Sequence, residues 1–115
     1  MSISLRRVYE KPAATDGMRI LVDRLWPRGL ARASAAIDRW QKEIAPSTAL
    51  RQWFGHDPEK WAEFQSRYRA ELLDNPALAE LGALARAGHV TLLSATRDEA
   101  HCHSRVLKAA LENPA

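Results

Sequence analysis

Cysteine is nearly missing from this sequence, since Cys102 is the only one among 115 residues. A single cysteine excludes a fold held together by disulfides within the chain. Long apolar segments are missing too, because no run approaches the roughly 20 residues that a membrane-spanning helix requires. The first ten residues, MSISLRRVYE, hold no apolar stretch of signal-peptide length. Together these absences predict a cytoplasmic protein that has no membrane partner.

Familiar nucleotide-binding and catalytic motifs are also absent. The chain contains no G-x-G-x-x-G, no P-loop, no C-x-x-C and no G-x-S-x-G. We therefore predict no cofactor. Helical zinc motifs place two histidines four residues apart, whereas His101 and His103 have one residue between them, so we predict no metal either.

The composition predicts one globular domain that spans residues 1–115. The length suits a single core, and 27% charged with 46% hydrophobic residues is ordinary for a folded protein. The charge is uneven, because residues 1–56 contain ten Lys and Arg against five Asp and Glu, while residues 57–115 contain seven against nine. The basic half could attract phosphates, nucleotides or nucleic acid, or it could be a solvated basic face with no partner.

Apolar patterns predict three strands, at residues 3–9, 18–23 and 89–95. In the second strand, the triplet Ile20-Leu21-Val22 suits a strand that is covered on both faces. The segment 36–45 is ambiguous, because its apolar residues fit a helical stripe and a strand face equally well.

Cap residues predict four helices, which start at Ser47, Asp57-Pro58, Asn75-Pro76 and a T-x-x-E capping box. The helices are expected to cover residues 48–54, 58–74, 76–87 and 97–112. In the second helix one apolar stripe is expected to face the core, formed by Trp61, Phe64, Tyr68 and Leu72.

Strands that alternate with helices predict an α/β fold, with a mostly parallel sheet of about four strands and helices on its faces. In such sheets ligands bind beyond the carboxyl ends of the strands. Polar residues are dense at two of these ends, in the segments 23–28 and 96–103. We therefore expect the functional site to lie between these two segments.

Three long segments, RILVDRLWPRGL, EIAPSTALRQWFGHDPEKW and LLSATRDEAHCH, resemble the YeaO-like proteins, a family with a domain of unknown function numbered 488. The similarity covers nearly the whole chain. The resemblance implies a compact α/β fold and a cytoplasmic location, and it implies no established activity. Longer proteins of the same broad family carry a strand where residues 37–44 lie, so the resemblance favours a strand in the ambiguous segment.

Asp23, Arg24 and Arg28 form the first group of candidate ligand-binding residues. Two guanidiniums at a rigid junction between a strand and a loop can clamp a phosphate or carboxylate with paired hydrogen bonds. In the alternative interpretation, Asp23 and Arg24 bond to the backbone of the loop and Trp26 simply packs.

Lys42 is a further candidate for anion binding, because a strand over residues 37–44 would carry it to the same edge. Ser47 and Arg51 would flank that edge as well. The alternatives are an exposed lysine and a serine that only caps a helix. His56 is expected to complete a turn rather than to carry protons.

Arg97, Asp98 and His101 form the second candidate group. Arg97 would bind the anion, and Asp98 and His101, three residues apart on a helix, would form a catalytic acid–base pair. Alternatively, Asp98 only stabilises the helix N-terminus. On that helix His103 would point about 160° away from His101. Cys102 is expected to be a small buried side chain rather than a nucleophile.

Three functions fit these observations. The first is an enzyme or binding protein for a small anionic, phosphorylated ligand. The second is a nucleic-acid-binding module that uses the basic N-terminal half, and the third is an interaction protein without chemistry. A convergent pocket would favour the first, a continuous basic stripe the second and a large exposed apolar patch the third.

Overall fold

The computed structural model describes residues 1–113. Four strands form the sheet: β1 (Ile3–Arg7), β2 (Met18–Leu21), β3 (Arg39–Trp40) and β4 (Val90–Ser94). Five α-helices accompany them: α1 (Arg32–Ala35), α2 (Thr48–Phe54), α3 (Trp61–Leu73), α4 (Pro76–Ala87) and α5 (His103–Glu112). Within residues 1–113, none of these helices has the length and apolar character of a membrane span.

All strand pairings are parallel, and the strand order is β1-β4-β2-β3. The last strand of the chain, β4, therefore lies in the middle of the sheet. Ile3 of β1 is opposite Val90, and Ile20 of β2 is opposite Leu92. This architecture confirms the predicted α/β fold with a parallel sheet of four strands.

The central strands are buried on both faces, as the apolar triplet in β2 predicts. Ile20 and Val22 join the larger core cluster, whereas Leu21 joins a smaller one on the opposite face, and all three are 0% exposed. This alternation follows from the two-residue period of a strand. The larger cluster contains the apolar faces of α2, α3, α4 and α5. The smaller cluster is covered by Trp26, Leu30, Ile37 and Trp40.

Most helix boundaries follow the cap residues. Ser47 Oγ accepts a hydrogen bond from the N–H of Leu50 at the start of α2, which ends at Gly55 with φ at +54°. The Asn75 side chain caps α4 in the same way. The residues Pro58–Lys60 form a 3-10 turn that leads directly into α3. Local capping chemistry is therefore sufficient to place three of the four predicted helices.

The strand expected in the ambiguous segment is present but short. Only Arg39 and Trp40 pair with β2, and Lys42–Ile44 form a 3-10 turn. Gln41 leaves the extended conformation, with φ at −99° and ψ at 64°. The chain therefore turns before Lys42, which is not carried along the strand to its expected position.

The last helix begins at His103, so the prediction of a start near residue 97 was wrong. The Thr96–Glu99 capping box is not formed, because the Thr96 N–H donates to Ser94 Oγ and no side chain caps the turn that follows. Glu99–His101 form a 3-10 turn, and Cys102 is extended. Two short-range hydrogen bonds within the Ser94–Thr96 segment thus compete with the helix start that the sequence pattern suggests.

Asp16 and Gly17 fix the entry into β2. The buried Asp16 carboxylate accepts hydrogen bonds from the Ala13 N–H, Arg19 and Arg6. The bond from Ala13 and the two guanidiniums outweigh the effect of burial and lower the pKa of Asp16 to about 2. Gly17 has φ at +63°, and a Cβ there would lie 2.2 Å from the carbonyl oxygen of His89. This position therefore requires glycine.

Candidate functional site

A cavity of about 600 Å³ lies at the carboxyl edge of the sheet. Its walls come from the segment 23–28 after β2, from Ala45 and Pro46, from the end of α2, and from the segment 95–103 after β4. The strands are parallel, so the segments that follow β2 and β4 emerge at the same edge. The volume falls within the range of small-molecule sites in proteins.

The structure brings six of the seven predicted site residues to this cavity. They are Asp23, Arg24, Arg28, Arg97, Asp98 and His101. Lys42 is not among the lining residues. Its ammonium lies 5.3 Å from the ring centroid of Trp40, because the chain turns away from the strand at Gln41.

Asp23 connects the ends of neighbouring strands. Its Oδ2 accepts a hydrogen bond from the Ala95 N–H at 2.8 Å, and its Oδ1 lies 3.4 Å from His103 Nε2. Its backbone carbonyl accepts a hydrogen bond from the Trp40 indole. The carboxylate thus ties the segment after β2 to the segment after β4. This geometry favours the alternative interpretation, in which Asp23 positions backbone rather than ligand.

Arg24 is also committed to the wall of the cavity. Its Nη2 donates to the Ala45 carbonyl at 3.0 Å, and its Nε donates to the Pro46 carbonyl at 3.2 Å. Two neighbouring carbonyls are therefore held by one planar guanidinium. The buried Tyr68 hydroxyl donates to the carbonyl of Ile44, next in the same segment, at 2.6 Å. These bonds fix the backbone that forms this side of the cavity.

Three other guanidiniums at the cavity remain uncommitted. The side chains of Arg28, Arg51 and Arg97 have no hydrogen-bond, ion-pair or cation–π partner among residues 1–113, and all three residues are exposed. Arg97 and Arg28 were predicted as anion ligands, whereas Arg51 was only expected to flank this edge. Their charges are available to a ligand.

Asp98 and His101 form the expected pair, although on a 3-10 turn rather than on an α-helix. His101 Nδ1 lies 2.7 Å from Asp98 Oδ2. The imidazole packs edge-on against Trp61, with the ring centroids 5.4 Å apart. One carboxylate and one aromatic ring thus orient this histidine at the cavity.

His103 also lines the cavity, so the expectation that it points away from His101 was wrong. The periodicity of an α-helix does not apply across residues 101–103, because Cys102 is extended, with φ at −96° and ψ at 138°. His103 Nε2 lies 2.9 Å from the Val22 carbonyl. The histidine therefore contacts the end of β2.

Cys102 and His103 form a buried acid–base pair at the edge of the cavity, which His103 lines and Cys102 does not. Cys102 is 4% exposed, and its Sγ lies 3.9 Å from His103 Nδ1 and 3.2 Å from the Ser104 hydroxyl. Burial opposes a charge on either group, but their hydrogen bond and mutual attraction outweigh it. The pKa of Cys102 is lowered to about 6, and the pKa of His103 is raised to about 9. The expected burial of Cys102 is confirmed.

A second recess of about 570 Å³ adjoins the cavity. It shares Arg28, Ala95 and Arg97 with the cavity and adds Arg7 and Tyr9. Sequence reasoning missed these two residues. Arg28 and Arg97 were predicted because they follow strands at the carboxyl edge of the sheet. The same criterion applies to Arg7, which ends β1, and to Tyr9, which follows it at the same edge.

Residues 1–113 contain no group of three or more His, Cys, Asp or Glu side chains placed to hold a metal ion. The side chains that line the cavity and the recess offer guanidiniums, imidazoles, two carboxylates and aromatic surfaces. Such surfaces suit a ligand that has a negative group and an apolar body.

Comparisons with known proteins point to the same family that the quoted sequence segments resemble. A family model described as the inactive DUF488-N3 subclade matches residues 2–115. An uncharacterized protein of Mycobacterium tuberculosis (strain ATCC 25618 / H37Rv) is 46% identical over 105 residues, which cover 91% of this chain and 89% of the relative. The uncharacterized protein YeaO of Escherichia coli (strain K12) is 41% identical over 108 residues, which cover 93% of this chain and 94% of that protein. No solved structure matches the chain.

The family match spans almost the full length, and both relatives align over nearly their whole chains. The chain therefore belongs to the YeaO-like DUF488 family.

Proposed function

We propose that the protein binds a small phosphorylated ligand at the carboxyl edge of its sheet. The observation that carries this proposal is the convergence of Arg28, Arg51 and Arg97 on one cavity without any partner among residues 1–113. Guanidiniums bind phosphate oxygens through paired, charge-assisted hydrogen bonds. Phe54 and Phe64 line the same cavity and provide an apolar surface for the rest of the ligand.

Four guanidiniums and two carboxylates line the cavity, so its formal charge is positive. Asp23 is bonded to the Ala95 N–H and lies beside His103, and Asp98 pairs with His101. Hydrogen bonds orient both carboxylates without removing their charge, whereas the guanidiniums of Arg28, Arg51 and Arg97 have no partner among residues 1–113 and remain available to the ligand. This distribution supports an anionic ligand over a neutral one.

Binding is better supported than catalysis. Asp98 and His101 have the geometry of an acid–base pair, but the family model that matches the chain is described as an inactive subclade. Three of the ten basic residues in the segment 1–56 are held in ion pairs, Arg6 and Arg19 with Asp16 and Arg39 with Glu80. This pairing argues against a continuous basic stripe for nucleic acid. A cytoplasmic location remains a prediction from the sequence, which has one cysteine and no apolar segment of membrane-span or signal-peptide length.

Calorimetric titration with adenosine 5′-monophosphate, adenosine and inorganic phosphate tests the proposal. The monophosphate is expected to bind more tightly than either part, with phosphate alone near millimolar, or about 4 kcal/mol. Arg97→Gln should weaken monophosphate binding about tenfold, which corresponds to about 1.4 kcal/mol. The matched control is Arg69→Gln, because Arg69 is an exposed arginine on α3 and does not line the cavity.

An unchanged melting temperature would show that both variants are folded. If none of the three compounds binds at millimolar concentration, the proposal fails. Equal losses in the two arginine variants would also contradict it, because they would indicate diffuse attraction to surface charge.

A further inference from the structure

We propose that the recess formed by Arg7, Tyr9, Arg28 and Arg97 holds the phosphate, while the ring of the ligand occupies the cavity. The preferred ligand is then a phosphate monoester attached to a flat ring, because Trp26, Phe54 and Phe64 line the cavity and offer aromatic surface. This inference rests on the proposed function and deepens it, because it assigns the two parts of the ligand to two neighbouring hollows and names the class of anion.

The recess has the charge that a phosphate monoester needs. Three guanidiniums reach it from the ends of three strands, Arg7 from β1, Arg28 from the segment after β2 and Arg97 from the segment after β4. Among the described residues, 1–113, its lining contains no carboxylate, whereas the cavity contains two. A dianion therefore finds the more favourable surroundings in the recess.

The number of donors favours a monoester over other anions. A monoester has three terminal oxygens and a charge near −2 at neutral pH, so that each oxygen can accept hydrogen bonds from a different guanidinium. A diester has two such oxygens and one charge, and a carboxylate has the same. Both are expected to leave one arginine of the recess without a ligand oxygen.

Tyr9 positions two of these arginines at once. Its ring lies under the Arg7 guanidinium, with 5.4 Å between Arg7 Cζ and the ring centroid. Its hydroxyl donates to the Arg28 carbonyl at 2.7 Å, which anchors the loop that carries the Arg28 side chain. The ring is 44% exposed, so core packing does not account for it. We infer that Tyr9 holds the recess in shape for the anion.

Arg7 retains capacity for a ligand. Its Nη2 is 3.5 Å from the Ala95 carbonyl, a long contact, and its Nε is buried without a hydrogen-bond partner among residues 1–113. Its Nη1 has no hydrogen-bond partner among residues 1–113, so the outer nitrogens of the guanidinium retain donors for an anion in the recess. Ala95 belongs to the wall that the recess and the cavity share, so a ligand can extend from one to the other.

The test compares three probes that share one ring: adenosine 5′-monophosphate, adenosine 3′,5′-cyclic monophosphate and adenosine. The monoester should bind about tenfold more tightly than the cyclic diester, as expected for the loss of one charge-assisted contact. Arg7→Gln should weaken monoester binding about tenfold and leave adenosine binding unchanged. Arg51→Gln, a variant in the cavity but outside the recess, should weaken the monoester less than Arg7→Gln does.

Tyr9→Phe is the second variant, because it removes only the hydroxyl and keeps the ring under Arg7. It should weaken monoester binding about threefold and leave adenosine binding and the melting temperature unchanged. A merely structural role of Tyr9 would change the binding of both compounds or the melting temperature.

The outcomes separate this inference from the proposed function. If the monoester binds but Arg7→Gln and Tyr9→Phe have no effect while Arg51→Gln does, the phosphate lies in the cavity and only the present inference is refuted. If no probe binds, both fail. A single-stranded oligonucleotide that binds far more tightly than the monoester, with steep loss of affinity in salt, would refute both as well.

Discussion

The substitution Arg24→Lys separates a structural arginine from a ligand-binding one. In the structure, Arg24 donates to the carbonyls of Ala45 and Pro46 at 3.0 and 3.2 Å. Lysine keeps the charge but has no planar fork, so its single nitrogen cannot reproduce the geometry in which Nε and Nη2 each donate to a different carbonyl. A hydrogen bond from a charged donor contributes about 1.5–3 kcal/mol. Since the site is only partly buried, we expect the free energy of unfolding to fall by about 1–3 kcal/mol.

Urea denaturation followed by tryptophan fluorescence measures this loss, and the slope with denaturant should not change. Arg28→Lys is the matched control, because that side chain has no partner among residues 1–113 and is exposed. Its effect on stability should stay within about 0.5 kcal/mol, as is usual for surface substitutions. Its effect on monophosphate affinity should be the larger of the two.

The opposite pattern would refute this reasoning. If Arg24→Lys is as stable as the wild type but loses the ligand, then the guanidinium serves the ligand. In that case a lysine would replace the whole contribution of the Arg24 hydrogen bonds to the stability of the loop.

Two further predictions concern the entry into β2. Gly17→Ala should cost about 2–6 kcal/mol, from backbone strain at positive φ and from the clash of the new Cβ with a carbonyl oxygen at 2.2 Å. Gly88→Ala is the control, because no neighbouring atom lies within 4 Å of a Cβ built there, and it should change stability by no more than about 0.5 kcal/mol. Equal losses of the two variants in urea denaturation would contradict the close approach of Gly17 to the His89 carbonyl. The low pKa of Asp16, about 2, stabilises the fold above its usual value of 3.8, and this contribution is lost as the pH falls towards 2. Asp16→Asn should therefore be less stable than the wild type at pH 7, and its stability should change less with pH between 4 and 2, as measured by acid unfolding. If the stabilities of the wild type and Asp16→Asn fall in parallel over this range, Asp16 is not the group responsible.

Elements that depend on short-range chemistry could be predicted from the sequence. The buried triplet in β2 and the caps at Ser47 and Asn75 lie where local patterns place them. The gathering of Arg28 and Arg97 at one edge also follows from sequence, because parallel strands bring their carboxyl ends together.

The errors arose where tertiary or competing local contacts decide the structure. The hydrogen bonds of Ser94 prevent the capping box at Thr96, and the turn at Gln41 diverts Lys42. The commitment of Arg24 to backbone carbonyls depends on a loop more than 20 residues away, which no local pattern reveals. For these residues the sequence indicates the chemistry of the side chain, but it does not indicate which group the side chain contacts.

The position of β4 in the sheet has a consequence for biosynthesis. Among residues 1–113, β1 is an edge strand that pairs with β4 alone, and about 80 residues separate the two strands in the sequence. A ribosome must therefore deliver residues 90–94 before the first strand of the nascent chain can pair. Pairing of Ile3 with Val90 closes a long loop, which slows folding relative to proteins with local contacts. Assembly of the sheet consequently waits until residues 90–94 have been made, and a nonsense mutation anywhere before Val90 yields a chain that cannot form the four-stranded sheet.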